Sequence, residues 1–450
     1  MSAKVILTAT SGSLKGQQFE FSDRTTCIIG RAPDCHPRLP NDKTISRYHC
    51  LLDINPPDIR IRDFGSKNGT YVNGKMIGKR QPYQTLEEGA RTRFPEYDLK
   101  EGDEIKLRNT VFRVSVEGAK NDNVGQAALR ESPVDPRQSC PSTLELQYAP
   151  TIVQVETSNS NFPCLRGYTT LKWLGKGEFG EVYLAHHNQN RELVAIKVMR
   201  SPTTTPDAIK RFLEEVEKIK ALHHPNIVQL KESGYEENSF FFTLDYCKGG
   251  SVADLMRYRD GQLSIDEAIS ITLQVLDGLQ YAHTIEISPI PSDNGITKTV
   301  KGLVHRDLKP TNIFLSTIGL GAIAKIANYG LTTAFDLAGL GGLSRSGIQV
   351  TPPAFMPRQQ VIDLKYAKPE VDVWAVAACL YYMLTGTVPR NFTHQDPFLV
   401  VLQINPVPIR ERNASIPKPL AEVIDLALVD HPNLHFKNAG AFKRALESVL

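Results

Sequence analysis

A polar, proline-containing stretch in the first half of the chain limits what the sequence can fold into. Residues 118–164 include AKNDNVGQAALRESPVDPRQSCPS, which is rich in small and polar side chains. A segment of this composition buries too little apolar surface to offset the entropy lost when a chain becomes ordered. It predicts a flexible linker, and therefore separately folded parts at residues 1–117 and 165–450.

The two parts differ in their hydrophobic pattern. Residues 1–117 contain short β-prone runs such as KVILTA, TCIIG, IRIRDF and TVFRVSV, separated by Gly, Pro, Asn and Asp. Such a pattern is typical of an all-β sandwich or barrel. After residue 165 strands come first and helices follow, which predicts a two-lobed α+β fold with a small lobe at about 165–245 and a large lobe at about 246–450. Within the large lobe, the Pro- and Gly-containing residues 284–302 are predicted to be an inserted loop.

Charge and cysteine content exclude several classes of protein. The 52 Lys and Arg against 49 Asp and Glu give a net charge of +3, which provides no basis for binding nucleic acid or an anionic membrane. The cysteines are scattered without a CxxC pair, which disfavours disulfide frameworks and zinc sites. The start MSAKVILTAT lacks signal-peptide features, and the apolar run VWAVAACLYYMLTG is too short to span a bilayer. We therefore expect a cytoplasmic protein without a membrane span.

A glycine-rich stretch, LGKGEFGEVYLA, is the first candidate site. Its glycines lie between strand-like runs and not before a helix, which favours a β-hairpin over phosphates and disfavours a dinucleotide fold; a plain hairpin turn remains the alternative. Lys197 follows inside the apolar run LVAIKVM, where an unpaired ammonium is costly to desolvate. Its expected partners are Glu215 and nucleotide phosphates, and the alternative is a strand-edge lysine with its head in water.

Together with VHRDLKPTN, these residues resemble the eukaryotic-type (Hanks-type) serine/threonine protein kinase family from about Tyr168 onward. The resemblance implies ATP and Mg²⁺ or Mn²⁺ as cofactors and proteins as substrates. It implies catalytic roles for Asp307, which would accept or orient the substrate hydroxyl, and for Lys309 at the γ-phosphate. The ATP-binding positions that it implies are Gly175, Gly177, Gly180, Val182, Lys197, Glu215, Leu244, Asp245 and Cys247. The metal-ligand positions that it implies are Asn312 and Asn328.

The segment AKIANYGL departs from the family pattern. It aligns with the DFG element, so the amide Asn328 stands where the family has a metal-binding Asp. Magnesium sites commonly use one or two carboxylates beside phosphates. Loss of one preorganised electrostatic group lowers a rate by about 10² to 10³. Two functions therefore stay open: a serine/threonine kinase that transfers the γ-phosphate of ATP, and a pseudokinase signalling scaffold that binds nucleotide weakly.

Further departures follow the segment AKIANYGL. FMPRQQV puts Gln359 where the family has a Glu, and HPNLHFKNA puts His435 where the buried Arg partner of that Glu lies. Replacing both partners of a buried ion pair with neutral groups costs little, so the two changes predict a coordinated structural alternative. The loop between AKIANYGL and FMPRQQV carries hydroxyl residues. A phosphate added to one of them could pair with Arg306, and the alternative for each is a solvated hydroxyl without such a role. These residues are Thr332, Thr333, Ser344, Ser346 and Thr351.

Three motifs of the β-rich part, IIGRAPDCH, ISRYHC and DFGSKNGTYVNG, together resemble the forkhead-associated (FHA) domain, a β-sandwich whose loops bind phosphothreonine peptides. The resemblance implies that Arg31 and Ser46 hold the phosphate, that Arg47 assists, and that Asn68 holds the peptide backbone. His49 and Asn73 are expected to shape the loops. Each motif alone would also fit ordinary hairpin turns. The expected partners are proteins that contain phosphothreonine.

Overall fold

The structure, a computed structural model, covers most of both predicted folded parts. It describes residues 3–22, 25–81, 84, 94–118, 165, 167–177, 180–200, 204–236, 238–287, 300–319, 321–331, 334, 353–362, 368–392 and 396–450. The predicted linker, apart from Gly118, lies outside the described residues, as do residues 288–299 of the predicted inserted loop. Outside them also lie the hydroxyl residues Thr332, Thr333, Ser344, Ser346 and Thr351.

The N-terminal part forms two antiparallel sheets, with strand orders β2-β1-β10-β9-β6-β7 and β3-β4-β5-β8. The strands are β1 (Lys4–Ser11), β2 (Gln18–Phe21), β3 (Thr25–Ile29), β4 (Cys50–Asn55), β5 (Asp58–Asp63), β6 (Thr70–Val72), β7 (Lys75–Gly78), β8 (Tyr97–Leu99), β9 (Glu104–Leu107) and β10 (Thr110–Glu117). Alternate residues of each strand face the core between the sheets, as with Val5 and Leu7 of β1 against Ile59 and Ile61 of β5. This confirms the predicted β-sandwich.

The small lobe is a five-stranded antiparallel sheet in the order β11-β12-β13-β15-β14, covered by one helix. Its elements are β11 (Tyr168–Gly177), β12 (Gly180–His187), β13 (Leu193–Arg200), α1 (Pro206–Lys220), β14 (Leu230–Glu236) and β15 (Ser239–Asp245). Helix α1 begins after Thr205, whose side chain accepts a hydrogen bond from the backbone N–H of Ala208. Its apolar face packs on the sheet, where the rings of Phe212 and Phe240 lie 4.4 Å apart between centroids.

The large lobe is mainly helical. Its helices are α2 (Val252–Tyr258), α3 (Ile265–Thr284), α4 (Arg358–Ile362), α5 (Pro369–Thr385), α6 (Pro397–Gln403), α7 (Ile409–Arg412), α8 (Lys418–Ala427) and α9 (Ala439–Glu447). Short strand pairs join β16 (Glu286–Ile287) to β17 (Val300–Lys301) and β18 (Ile313–Leu315) to β19 (Ala324–Ile326), and Pro310–Asn312 form one 3-10 turn. The apolar run VWAVAACLYYMLTG lies in α5, which is buried along almost its whole length, as predicted for a core helix. No described helix is long and apolar enough to cross a membrane.

The N-terminal sandwich lies directly against the large lobe. One cluster of apolar side chains includes Ile28, Tyr48 and Phe64 from the sandwich and Val361 and Leu399 from helices α4 and α6. A shared buried cluster of this kind excludes water from the contact between the two parts. The sequence predicted only a flexible connection between them, so this packing is an addition to the predicted organisation.

Candidate functional site

The glycine-rich stretch forms a β-hairpin, as predicted. Strands β11 and β12 pair up to Gly177 and Gly180, which lie opposite each other. Gly180 has φ 129°, and a Cβ placed there would lie 2.1 Å from the carbonyl oxygen of Val198, so only glycine fits. Val182 lies opposite Lys197 in the neighbouring strand β13. The hairpin therefore runs along the strand that carries the predicted nucleotide lysine.

Lys197 is buried, with 4% of its surface exposed. Its Nζ donates a hydrogen bond to Oδ1 of Asn328, at 3.1 Å. Glu215, its predicted partner, lies on α1 and forms an ion pair with Lys218, one turn farther along the helix. The contact between Lys197 and Glu215 stays a prediction, whereas the contact with the AKIANYGL segment is present.

Asn328 connects the small-lobe lysine to the catalytic loop. Its Nδ2 donates to Oδ1 of Asn312, at 2.9 Å. Asn312 in turn donates from Nδ2 to the backbone carbonyl of Asp307, at 2.7 Å, and to its carboxylate, at 3.0 Å. Lys309 Nζ lies 3.0 Å from the same carboxylate. The five residues thus form one continuous chain of contacts, from Lys197 to Lys309.

A buried carboxylate on α5 holds the backbone of the catalytic loop in place. Asp372 accepts hydrogen bonds from the backbone N–H groups of His305 and Arg306, both at 2.8 Å, and lies 2.8 Å from Nε2 of His283. Burial opposes ionisation of Asp372, but the His283 hydrogen bond and charge and the His305 contacts outweigh it and lower the pKa. These contacts hold Arg306 in a left-handed conformation, with φ 67°, immediately before Asp307.

The predicted hinge begins in the last residues of β15 and continues beyond it. Leu244 pairs with Ala195 of β13, and the carboxylate of Asp245 lies 3.2 Å from Lys325 Nζ and 3.4 Å from Lys231 Nζ. Cys247 is buried, and burial raises the pKa of its thiol to about 11, so it behaves as an apolar side chain at neutral pH. Leu244 and Asp245 lie beside β13, the strand that carries Lys197. Contact of these residues and Cys247 with adenine stays a prediction.

The two predicted metal-ligand positions offer oxygen atoms of the kind that magnesium and manganese bind, but no charge. Oδ1 of Asn312 accepts from Asn328, and Oδ1 of Asn328 accepts from Lys197. Among the described residues there is no cluster of three or more His, Cys, Asp or Glu suited to a metal ion. Asn312 and Asn328 therefore fit a divalent ion that takes its negative ligands from nucleotide phosphates, and such an ion would share their oxygens with the present hydrogen bonds or displace those bonds.

Gln359 and His435, whose changes from the family pattern predicted a coordinated structural alternative, make separate contacts. His435 is exposed and packs its ring edge-on against Phe436, whereas Gln359 donates from Nε2 to the backbone carbonyl of Asp430, at 2.7 Å. A buried ion pair is present nearby, between Arg390 and Asp430. Because the Asp430 carboxylate also accepts the backbone N–H of Arg358, the start of α4 remains tied by charge to the large-lobe core.

The residues predicted to bind phosphothreonine lie together at one edge of the sandwich. The backbone N–H of Arg31 donates to the carbonyl of Ser46, at 3.1 Å, and the backbone N–H of Lys67 donates to the Ser46 hydroxyl oxygen, at 3.1 Å. Asn68 donates from Nδ2 to the carbonyl of Thr44, at 2.6 Å. The side chains of Arg31 and Arg47 are exposed at this edge. The three motifs thus form one surface with exposed guanidinium groups, which suit a phosphate.

His49 shapes this surface from within, as expected. Its Nδ1 accepts from the backbone N–H of Ser46, at 3.2 Å, and Nε2 lies 3.2 Å from the carbonyl of Gly69. Burial lowers the pKa of His49, so the ring is neutral and donates from Nε2. Asn73 braces a different turn, where its side chain exchanges hydrogen bonds with Asp103 and Glu104.

A family model described as protein kinase domain matches residues 168–433, more than half of the chain. The chain belongs to the protein kinase family. A second model, described as FHA domain, matches residues 27–108. Both resemblances drawn from the motifs are therefore confirmed, and so is the fold class of an FHA-like sandwich followed by a two-lobed kinase fold.

Relatives with established names carry the same kind of domain. A Dictyostelium discoideum protein named "Probable serine/threonine-protein kinase fhkA" is 26% identical over 395 residues, which are 80% of this chain and 60% of that protein. Serine/threonine-protein kinase 1 of Arabidopsis thaliana is 30% identical over 244 residues, 54% of this chain and 26% of that protein. The chain thus spans less than two thirds of these relatives. The crystal structure of the Mycobacterium tuberculosis PknI kinase domain has a TM-score of 0.48 at 22% identity, covering 65% of this chain and 100% of that one.

Proposed function

We propose that this protein is an ATP-dependent serine/threonine kinase that transfers the γ-phosphate to protein hydroxyl groups, and that its FHA domain binds phosphothreonine. The observation that supports it is the continuous chain of contacts from Lys197 through Asn328 and Asn312 to Asp307 and Lys309. It joins residues of both lobes around one cleft. Phosphoryl transfer requires mainly such positioning of charges and of the reacting hydroxyl.

Each side chain of this set has a role in the proposal. Asp307 accepts or orients the substrate hydroxyl, because Asn312 and Lys309 both contact Oδ2 of its carboxylate and so fix the orientation of the group. Lys197 and Lys309 supply positive charge for the phosphates. A divalent ion, when bound with ATP at Asn312 and Asn328, supplies further charge neutralisation. Because neither amide carries a charge, we expect slow transfer.

The FHA domain gives this kinase a means of recruiting phosphorylated proteins. Exposed Arg31 and Arg47 and the hydroxyl of Ser46 face the same edge of the sandwich and together suit a phosphate. Asn68 braces the loop that carries Ser46, and binding of the peptide backbone by its carboxamide is part of the proposal. The expected partners are therefore proteins that contain phosphothreonine.

The kinase proposal is tested with purified protein, labelled ATP and either Mg²⁺ or Mn²⁺. We expect label to appear in the chain itself or in a generic protein substrate, and to be lost in Asp307→Asn. Asp266→Asn is a matched control, because Asp266 is an exposed carboxylate in the first turn of α3 and should leave transfer unchanged. Equal incorporation in wild type and Asp307→Asn would show that the chain itself does not catalyse the transfer.

A second function, a pseudokinase scaffold that binds nucleotide weakly and acts through its FHA domain, is favoured by one observation. The Asn328 carboxamide is already engaged at both of its atoms, by Lys197 and by Asn312, without any metal ion. This function predicts that ATP raises the melting temperature equally with and without Mg²⁺, and that no transfer occurs. Stabilisation that requires Mg²⁺ would argue against it.

A further inference from the structure

The contact between the FHA domain and the large lobe contains a buried ion pair. Arg62 of β5 and Asp396, directly before α6, form this pair, and each side chain is only 3% exposed. The Arg62 guanidinium also lies between two rings, 5.4 Å from the centroid of Phe64 and 5.6 Å from that of Phe398. A guanidinium so desolvated is stabilised by its carboxylate partner and by the aromatic faces.

The same contact reaches helix α4. The hydroxyl of Thr26, in β3, donates to the backbone carbonyl of Val361, at 3.1 Å. Apolar side chains surround this bond, with Ile28 and Tyr48 from the FHA domain beside Val361 and Leu399 from the large lobe. The described part of α4 is five residues long, and a helical segment of this length depends on its packing partners more than on its own hydrogen bonds.

Helix α4 in turn holds the catalytic loop. The side chain of Gln360, next to Val361, donates from Nε2 to the backbone carbonyl of Arg306. Arg306 precedes Asp307 and has φ 67°, a conformation that needs support from its surroundings. At the other end of α4, Arg358 donates from Nε to the carbonyl of Val401 in α6, at 3.2 Å. The FHA domain, α4, α6 and the catalytic loop thus form one connected set of contacts.

We propose that the face of the large lobe formed by α4 and α6 is a docking surface for this chain's own FHA domain, and that docking positions the catalytic loop through Gln360 and Arg306. Arg62 and Asp396 are then positioning residues, because they act on Asp307 through α4. The proposal adds to the proposed kinase function an effect of the FHA domain on the cleft that does not require a phosphothreonine ligand.

Arg60 provides a matched control for Arg62. Both lie on the face of β5 that points away from the sandwich core, two residues apart, but Arg60 forms its ion pairs within the FHA domain, with Asp98 and Glu96. Arg62→Met and Arg60→Met therefore remove the same charge from the same strand. Only the first removes a contact with the large lobe.

The test is hydrogen exchange of the full-length chain, measured over residues 303–309 and 358–362. We expect Arg62→Met to speed exchange in both segments at least about tenfold relative to wild type, and Arg60→Met to leave both unchanged. Thr26→Val, which has the same shape and lacks the donor to Val361, should change them in the same direction by less. Equal exchange in the Arg62→Met and Arg60→Met chains would overturn the proposal.

A second measurement separates positioning from general destabilisation. Asp396→Asn keeps an oxygen that can cap α6, where Asp396 now accepts the backbone N–H of Phe398, and removes only the charge that meets Arg62. We expect it, like Arg62→Met, to lower kcat about tenfold with an unchanged KM for ATP, and the double variant to lose no more than either single one. An unchanged kcat in an active enzyme would overturn the positioning role. The exchange experiment needs no transfer, so a chain that fails as a kinase still decides the docking proposal.

Discussion

The molecule has two candidate phosphate-binding sites, and they differ in how far their positively charged side chains are exposed. At the FHA edge, Arg31 and Arg47 are exposed and the contacts that brace the loops are made by backbone groups and by neutral His49. In the kinase cleft, Lys197 is buried and its ammonium already donates to Asn328. The first site therefore presents exposed charges to a ligand, whereas a ligand at the second site meets a buried ammonium that already donates to a neighbouring side chain. The presence of a basic residue in a motif therefore does not determine whether its charge is exposed to a ligand.

The largest expected effect concerns Asp307 in the cleft. Asp307→Asn removes the carboxylate that accepts or orients the substrate hydroxyl, and we expect the transfer rate to fall by about 10² to 10⁴. Binding of ATP, measured by calorimetry, should stay within a factor of about 3, because the lysine contact with Asn328 is untouched. Parallel losses of binding and transfer would show that Asp307 supports the fold of the cleft and not the chemistry.

At the FHA edge, Arg31→Ala tests the direct availability of charge. Loss of a charge-assisted contact costs about 1.5 to 3 kcal/mol, so we expect phosphothreonine peptide affinity to fall about 10- to 100-fold. Fluorescence anisotropy with a labelled phosphothreonine peptide library measures this, and Arg113→Ala in β10 is the control, because Arg113 lies in the other sheet. If both variants lose the same affinity, the binding surface lies elsewhere.

The smallest expected effect is a dependence of FHA stability on pH. Because burial lowers the pKa of His49 from the ordinary value of 6.5, the unfolded chain takes up a proton at His49 before the folded one does. This contribution to the free energy of unfolding is therefore full above pH 6.5 and falls as the pH drops toward the folded pKa, by at most about 1.4 kcal/mol per pH unit. Hydrogen exchange of the slowly exchanging β4 amides, followed between pH 7.5 and 5.5, measures this change in the free energy of unfolding. His49→Gln should reduce the slope of that free energy against pH. An identical slope in that variant would assign the effect to another group.

The hydrophobic pattern and the order of the motifs were sufficient to predict the fold. The short β-prone run IRIRDF predicted a strand, the continuous apolar run in α5 predicted a buried helix, and the strand-like runs that flank Gly175 and Gly180 predicted a hairpin. Each of these patterns is local, and local patterns specify secondary structure and the side that faces the core. The predicted membership of both domain families followed from the same ordered motifs.

Contacts between segments that are distant in the sequence could not be predicted from such local patterns. Arg60 and Arg62 occupy equivalent places in the alternation of β5, yet Arg62 alone is buried against Asp396. The expected contact of Lys197 with Glu215 stays a prediction, and the observed contact with Asn328 depends on how the two lobes approach each other. His435 stands where the family has a buried Arg, but it is exposed, and Asp430 and Arg390 form a buried ion pair in that region. Such pairs depend on tertiary geometry that short motifs do not encode.

The proposed kinase activity is tested by comparing wild type with Asn328→Asp for transfer from labelled ATP, each with Mg²⁺, with Mn²⁺ and with chelator. The aspartate cannot donate to Asn312, so it replaces the present hydrogen bond with a charged metal ligand. We expect slow, metal-dependent transfer by wild type and a transfer rate about 10² to 10³ times higher in the variant with Mg²⁺. No transfer by either protein, in any of the three conditions, would contradict the proposed kinase activity and leave the scaffold function as the account of this cleft.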